Sequence, residues 1–438
     1  MSVEPPLTER HDPAAAFRHR DYRLFYATRL CNMFGTNIMM PTLGWQIYKL
    51  THDPLSLGLI GLSVFVPVML ATLPSGQVAD RFERRNVYRV FQLVLTTAAL
   101  IFCGLTLSGV TNPLFFYLAA GLFGASKTFS APCAAAWMPH MIPRQALPNA
   151  VAWNSSGFQL TNVIGPALAG LTLHLWGEAA TYGLAAGLYV SGSLGATLIR
   201  TRSRGGDRRP VGLAHLLGGL NYILHNRLIL GAVTLDLFAV LLGGAIALLP
   251  IYASDILHVG SSGFGFLRSA PALGAVATAL CLALRPLRKH AGLWMFAAIS
   301  VYGVVTIVFG LSKIYYLSLV CLVVLGSADM VGNFIRQSLM QLTLHDDMRG
   351  RVSSVNMMFN SASNELGDME SGFVASLVGV VPAVVIGGVG TLVVAGLWAW
   401  KFPNLRKIDN LLNLKDETVK GTALVVAVTE DEAFKKSA

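Results

Sequence analysis

Residues 55–73 read LSLGLIGLSVFVPVMLATL and residues 91–107 read FQLVLTTAALIFCGLTL, two almost purely apolar runs. Between them stands Gly76-Gln77-Val78-Ala79-Asp80-Arg81-Phe82-Glu83-Arg84-Arg85, a short stretch crowded with charge. Each run approaches the ~20 residues that carry an α-helix across a hydrocarbon core. Leu228–Leu249 and Val380–Trp400 repeat the pattern. Of the 438 residues, 54% are apolar and 13% charged, about half the charge usual in a soluble domain. A soluble chain cannot cover that much apolar surface with so few charges. The sequence is therefore read as an all-α, polytopic membrane protein, which excludes a soluble enzyme, a disordered chain and a secreted disulfide scaffold.

Twelve helices are expected near 23–48, 56–77, 90–109, 113–137, 149–174, 180–199, 228–252, 262–284, 292–311, 315–340, 353–378 and 381–400. The net charge of +10 does not point to nucleic acid, because the basic residues lie in short loops. Of the 33 Lys and Arg, the N-terminus, alternate loops and the C-terminal tail hold 26, against only Lys49 and Lys313 in the opposite loops. By the positive-inside rule both termini are expected in the cytoplasm. The expected organisation is a cytoplasmic N-terminus (1–22), a six-helix bundle (23–199), a cytoplasmic linker (200–227), a second six-helix bundle (228–400) and a cytoplasmic tail (401–438). Leu424–Val428 in that tail is too short to span. The first span is longer than a signal-peptide core and is expected to be retained. Cys31, Cys103, Cys133, Cys281 and Cys321 all fall in apolar segments, without metal-ligand spacing, and read as small hydrophobes.

On residues alone, two readings of the loop at 76–85 fit: a solvated basic loop, or an ordered turn in which Asp80 caps a helix and Arg81, Arg84 and Arg85 pair with carboxylates or lipid phosphates. Helix five offers a second string, Asn162-Val163-Ile164-Gly165-Pro166-Ala167-Leu168-Ala169-Gly170. Its proline removes a helical hydrogen bond and its small neighbours permit close packing, which suits a plain packing kink as well as a functional one.

The ordered string Gly76…Arg85 resembles the signature of the major facilitator superfamily, at its expected place between the second and third of twelve helices. Val78 stands for the signature's leucine and Glu83 for its second glycine. Gly165, Pro166 and Gly170 resemble the antiporter signature of exporters in that superfamily, with Thr161 and Ala169 at two of its glycine positions. Further strings are Phe17–Phe25, Trp45–Tyr48, Leu147-Pro148-Asn149-Ala150, Asp236-Leu237-Phe238 with Leu249-Pro250, Arg349–Val352, Leu366-Gly367-Asp368 and Glu370-Ser371-Gly372. Together they are similar to the branch of enterobactin (siderophore) exporters and drug:proton antiporters. The resemblance implies two six-helix bundles, alternating access, a cytoplasmic gate at Gly76, Asp80, Arg81, Arg84 and Arg85, and helices one, four, seven and ten around a central cavity.

Charges inside the spans are the second line of argument, since each costs roughly 3 kcal/mol at mid-membrane and must face a cavity or a partner. Asp236 lies in helix seven, Glu365 and Asp368 one turn apart in helix eleven; these three are the proton-coupling candidates, with Asp236 placed first. Arg29 and Asn32 in helix one, Lys127 in helix four, and Asp329, Asn333 and Arg336 on one face of helix ten are expected to line the substrate cavity. The alternative for Arg336 is structural pairing with Asp236 or Asp329, and for Lys127 a fixed counter-ion. Arg268 and Asp255 are expected at the outer interface. The histidines lie in loops or near helix ends without metal spacing, and no phosphate-binding loop or nucleophile–base set is present, so no cofactor, metal or nucleotide is expected and an ion gradient supplies the energy.

The reading is a non-enzymatic, proton-coupled exporter of a small amphipathic molecule, siderophore-like or drug-like, in a bacterial inner membrane. Its partners are the substrate, protons and membrane lipids, and it works as a monomer. An importer or lipid transporter of the same superfamily is the alternative. A membrane-embedded transferase is disfavoured, because its acidic or histidine residues would gather at one membrane face and these carboxylates sit at mid-depth.

Overall fold

The computed structural model describes residues 12–203, 213–285, 287, 289–344 and 346–409. The first residues of the N-terminus, the basic middle of the 200–227 linker and the tail beyond Asp409, with Leu424–Val428, lie outside the described residues. So does the side chain of Asp80.

Among the described residues there is no strand, and the chain runs as long antiparallel helices. These are α1 (Arg20–Thr51), α2 (Pro54–Arg81), α3 (Arg84–Leu107) and α4 (Pro113–Trp137), then α5 (147–176) and α6 (178–198), which part at Gly177. A linker helix, Leu213–His225, precedes α7 (Arg227–Leu242), α8 (Gly260–Leu284), α9 (Ala291–Leu311), α10 (Tyr315–Thr343), α11 (Asp346–Val378) and α12 (Val380–Lys401). Considered singly, α2, α3, α8, α9, α10 and α12 are long and apolar enough to cross a membrane. Of the others, α1, α4, α7 and α11 carry Arg29, Lys127, Asp236 and the Glu365–Asp368 pair within their length. Local chemistry sets the turns. Asp53 and Asn112 cap α2 and α4 by accepting from Leu55 and Leu114, each with proline at the first helical position, where its missing N–H costs nothing. Gly177 (φ 77°) and Gly379 (φ 93°) supply the backbone conformation that L side chains resist, which lets α5–α6 and α11–α12 reverse within one residue.

Helix seven departs from expectation. Instead of a continuous span to residue 252, α7 ends at Leu242, turns through 243–248, and resumes as Leu249–Ile251 and a π-turn over Tyr252–Ile256. The adjacent Gly243 and Gly244 each weaken a helix by about 1 kcal/mol relative to alanine, and Pro250 withholds a donor.

α1–α6 pack as one bundle and α7–α12 as another. The apolar cores show where they meet. One core joins Tyr48 and Leu57 of the first bundle to Leu248, Tyr252, Phe264 and Phe309 of the second. The other described cores each stay within a single bundle. The shared core lies at the end opposite the chain termini, called here the far end.

At the terminal end the first bundle is clasped by its own N-terminus. Asn149 and Trp153 of α5 donate to the carbonyl of Pro13, and Phe17 packs edge-on against Trp153 at 5.1 Å. Asp21 accepts from the backbone N–H groups of Arg200 and Thr201 and from the Thr201 hydroxyl, at 3.1, 2.8 and 2.5 Å. Burial alone would raise the Asp21 pKa; these hydrogen bonds, with Arg20 alongside, outweigh it and hold the carboxyl below its usual value. The carboxyl is thus more acidic folded than unfolded. Its contribution is complete above the ordinary aspartate range, near pH 4, and fades as pH falls through the folded value. Asp21→Asn is therefore expected to lower the melting temperature at neutral pH and to match wild type in strong acid. Melting curves across pH test this, and identical curves at neutral pH would refute it.

Candidate functional site

The far end is closed by backbone on backbone. A Cβ at Gly58 of α2 would stand 2.9 Å from the Met369 carbonyl of α11, and one at Gly61 2.8 Å from that of Glu365. Gly372 answers from α11, 2.8 Å from the Gly58 Cα by the same measure. α5 and α8 do likewise: a Cβ at Gly170 would lie 2.6 Å from the Gly265 Cα. Glycine is required wherever main chains approach this closely. Around these crossings Tyr48 donates to Asp255 and Trp45 stacks on Phe264 at 5.5 Å, both from the first bundle to the second. Beyond the seal a pocket of about 440 Å³ lies between the outer ends of α1, α5 and α6 and the segment after α7.

Toward the terminal end both α2 and α11 carry exposed apolar side chains. Leu70 of α2 and Met357 of α11 are 74% and 72% exposed. Lys127, at mid-depth on α4, is likewise exposed, with Glu365 of α11 as its electrostatic partner. A lysine accessible halfway along a bundle lines an open space, and that space is closed above by the glycine crossings. No ion pair among the described residues involves Lys127 or Arg29, and the Arg29 Nε has no hydrogen-bond partner.

The residues expected to share one cavity divide. Asn32 is bound into the first bundle: its amide donates to Gln92 at 2.7 Å and to Tyr88 at 3.2 Å, and accepts from Gln92 at 2.6 Å. Arg336 pairs with Asp236, and its second nitrogen donates to Asn333 at 3.1 Å. This is the structural pairing that the sequence left open. Asp236 and Asp329, with Tyr302, line a cavity of about 20 Å³ among α7, α9 and α10, room for about one water. Glu365 remains beside Lys127, with Asp368 one turn along α11, and both are joined by a group that sequence reasoning misplaced. Arg268 does not reach the outer interface. It turns inward, donates to the Ile246 carbonyl at 3.1 Å and lies within electrostatic reach of Asp368 and Glu365. Asp255, also expected at the interface, is the acceptor for Tyr48. Position along a helix gave the depth of Arg268; only the break in α7, which frees carbonyls beside it, gives its direction.

The loop after α2 is built without a glycine conformation at Glu83, whose φ is −61°. Arg84 is buried and donates to Ser203 at 3.0 Å and to the Ala136 carbonyl at 3.4 Å, while Arg85 reaches the Arg200 carbonyl at 3.4 Å. Both tie the first bundle to itself. Arg81 is exposed, and a Cβ at Gly76 would meet nothing within 4 Å. On α5, Gly165 admits Asn37 of α1, whose amide donates to Asn162 at 3.0 Å, and Pro166 turns its carbonyl to Gly265. Among the described residues no three His, Cys, Asp or Glu side chains gather as metal ligands.

Comparison with known proteins agrees with this architecture. The family model described as transmembrane secretion effector matches residues 11–432. The enterobactin exporter of Citrobacter koseri is 26% identical over 387 residues, covering 86% of this chain and 91% of its own. That of Escherichia coli O1:K1 is 25% identical over 397 residues, covering 89% and 93%. Among solved structures, the POT family transporter PepTSo superposes with a TM-score of 0.71 at 12% identity, over 88% of this chain and 98% of its own. A bacterial homologue of the human lysosomal transporter Spinster gives 0.69 at 15% identity, over 89% and 99%. The fold is the major facilitator fold.

Proposed function

Since the chain belongs to the transmembrane secretion effector family of the major facilitator superfamily, we propose that it exports a small amphipathic organic molecule, siderophore-like in class, from the bacterial cytoplasm in exchange for protons. The observation that carries this reading is the pairing of an open, charged mid-depth site with a closed far end. Lys127 faces Glu365, one turn from Asp368, in a space accessible from the terminal end and sealed at the other by the glycine crossings. With both termini in the cytoplasm, as the basic loops require, this is the state that loads substrate from inside the cell. Lys127 and Arg29 attract an anionic or hydroxyl-rich substrate. Arg81, exposed at the cytoplasmic rim, meets the second bundle when that side closes.

The proton belongs on α11. Asp236 is already the counter-ion of buried Arg336, so protonating it would strand that cation. No ion pair among the described residues ties up Glu365 or Asp368, so a proton there strands no bonded cation as it would at Asp236. Proton and substrate then need only favour opposite states to be coupled.

Expression in a bacterium lacking its own enterobactin exporter, under iron limitation, tests the reading. Siderophore is expected to move from cells to medium, and Glu365→Gln is expected to reduce that transfer on the order of 100-fold or more, equivalent to roughly 3 kcal/mol of lost coupling. Asp236→Asn should reduce it only as far as it lowers the amount of folded protein. No transfer by wild-type protein verified in the membrane would remove siderophores from the substrate class. Transfer that survives Glu365→Gln and Asp368→Asn would remove the proton from α11.

A further inference from the structure

We propose that Arg268 is a positioning residue that relays the protonation state of Glu365 and Asp368 to the break in α7, and through it to the far-end seal. The inference rests on the reading of those two carboxylates as the proton site.

Arg268 faces two kinds of partner at once. Its guanidinium donates to the Ile246 carbonyl within the 243–248 break, and its nearby counter-charges are Asp368 and Glu365. The break packs on the very turns of α11 that bear those carboxylates. A Cβ at Gly244 would collide with the Ser371 hydroxyl and stand 2.6 Å from the Gly367 carbonyl, and one at Gly367 would stand 3.0 Å from the Leu241 carbonyl. The opposite side of the same turns forms the seal, where the Glu365 and Met369 carbonyls meet Gly61 and Gly58. One stretch of α11, from Glu365 to Gly372, therefore touches the proton site, the broken helix and the closed gate.

The charged and titratable groups that act on the two carboxylates are Lys127 from α4, Arg268 from α8 and Tyr302 from α9; beyond Tyr302 lie Asp329 of α10 and Asp236 with its partner Arg336, and Glu370 follows on α11 itself. α2 and α12 have no charged residue except at their terminal ends, and the linker helix meets α11 farther along, at Arg351 and Val355. Arg268 is the cation among them that also holds the broken helix. When Glu365 and Asp368 are ionised, Arg268 is balanced and stays on Ile246. When each takes up a proton and becomes neutral, a guanidinium in that environment has lost its counter-charge, which is costly, and it must turn toward water. The Ile246 carbonyl loses its donor, the break rearranges against Gly367 and Ser371, and the fit between α11 and α2 loosens. Proton uptake thereby favours opening at the far end.

The test reads conformation directly and needs no substrate. Spin labels are placed at Asn112→Cys and Lys313→Cys, exposed positions in far-end loops of the first and second bundle, in a chain whose five cysteines are replaced. Distances are measured in lipid nanodiscs between about pH 5 and about pH 8, the interval in which buried carboxylates titrate. Wild type and Arg268→Lys are expected to change their open-to-closed ratio on the order of tenfold across that interval. Arg268→Gln and Gly244→Ala, the second acting on the break without touching a charge, are expected to show one pH-independent ratio. A wild-type response in Arg268→Gln overturns the inference and leaves the proton site standing. If Arg268→Gln does not fold, a wild-type response in Gly244→Ala overturns it equally. No pH response in wild type removes the carboxylates as proton site, and this relay with them.

Discussion

Asp236→Asn is expected to cost about 3–5 kcal/mol of stability, the usual result of removing one partner from a buried ion pair. The side chains of Arg336 and Asp236 are only 4% and 13% exposed, and the Arg336 Nε has no hydrogen-bond partner. An asparagine leaves the guanidinium with a neutral neighbour, and a guanidinium does not shed its proton to escape. Arg336→Met is expected to cost less, because a buried carboxyl left alone can neutralise itself by binding a proton. The double variant Asp236→Asn/Arg336→Met should be more stable than Asp236→Asn, with a coupling of roughly 0.5–3 kcal/mol. Detergent melting curves of the four proteins give the cycle. An Asp236→Asn protein that melts with wild type would show that the pair holds nothing together. The same set separates fold from transport, since export per folded molecule should survive in the double variant if the proton resides on α11.

Gly170→Leu is expected to abolish export while leaving the protein folded. The clash it creates is with main chain: a Cβ there would lie 2.6 Å from both the Gly265 Cα and the Ser261 carbonyl, and neither can rotate aside as a side chain could. α5 and α8 must separate for even one methyl group. Forcing extra methylenes into a packed contact costs roughly 1–3 kcal/mol, so Gly170→Ala alone should lower export about tenfold or more. Leucine should hold the far end apart at every pH. Because the affected surface lies between bundles rather than within one, the penalty falls on the closed state and spares each bundle. The spin-label pair reports it as a permanently long distance. Normal export together with a normal distance would show that these crossings do not seal the far end.

How much of this was legible in the sequence depends on what each residue reports. The apolar runs at 55–73 and 91–107 have a single physical use, so the spans and their alternation could be read directly. The pairing options of Arg336 were also visible, because buried charge admits few interpretations. Three features were hidden for a common reason: they depend on the direction in which a helix face points, and hydropathy records only depth. Arg268 sits at the right depth for an interfacial residue and turns inward. Asn32 has the polarity of a cavity residue but is occupied by Gln92 and Tyr88 of α3. Gly170 suited a plain packing kink, and only the fold shows that it meets Gly265, and Gly58 and Gly61 meet α11, across the bundles. Gly243-Gly244 did carry a local signal of a break, masked by the apolar residues on either side.

The glycine crossings also bear on leakage. A gate made of side chains opens transiently whenever a rotamer flips, on the picosecond-to-nanosecond scale, and each flicker is an opportunity for a file of water to form. At Gly170 against Gly265, and at Gly58 against Gly372, there is no rotamer to flip. Parting these contacts requires whole helices to move, which is a microsecond-to-millisecond event. Such a wall stays dry during the far more frequent small fluctuations, so an ion gradient held across it does not leak away through these crossings.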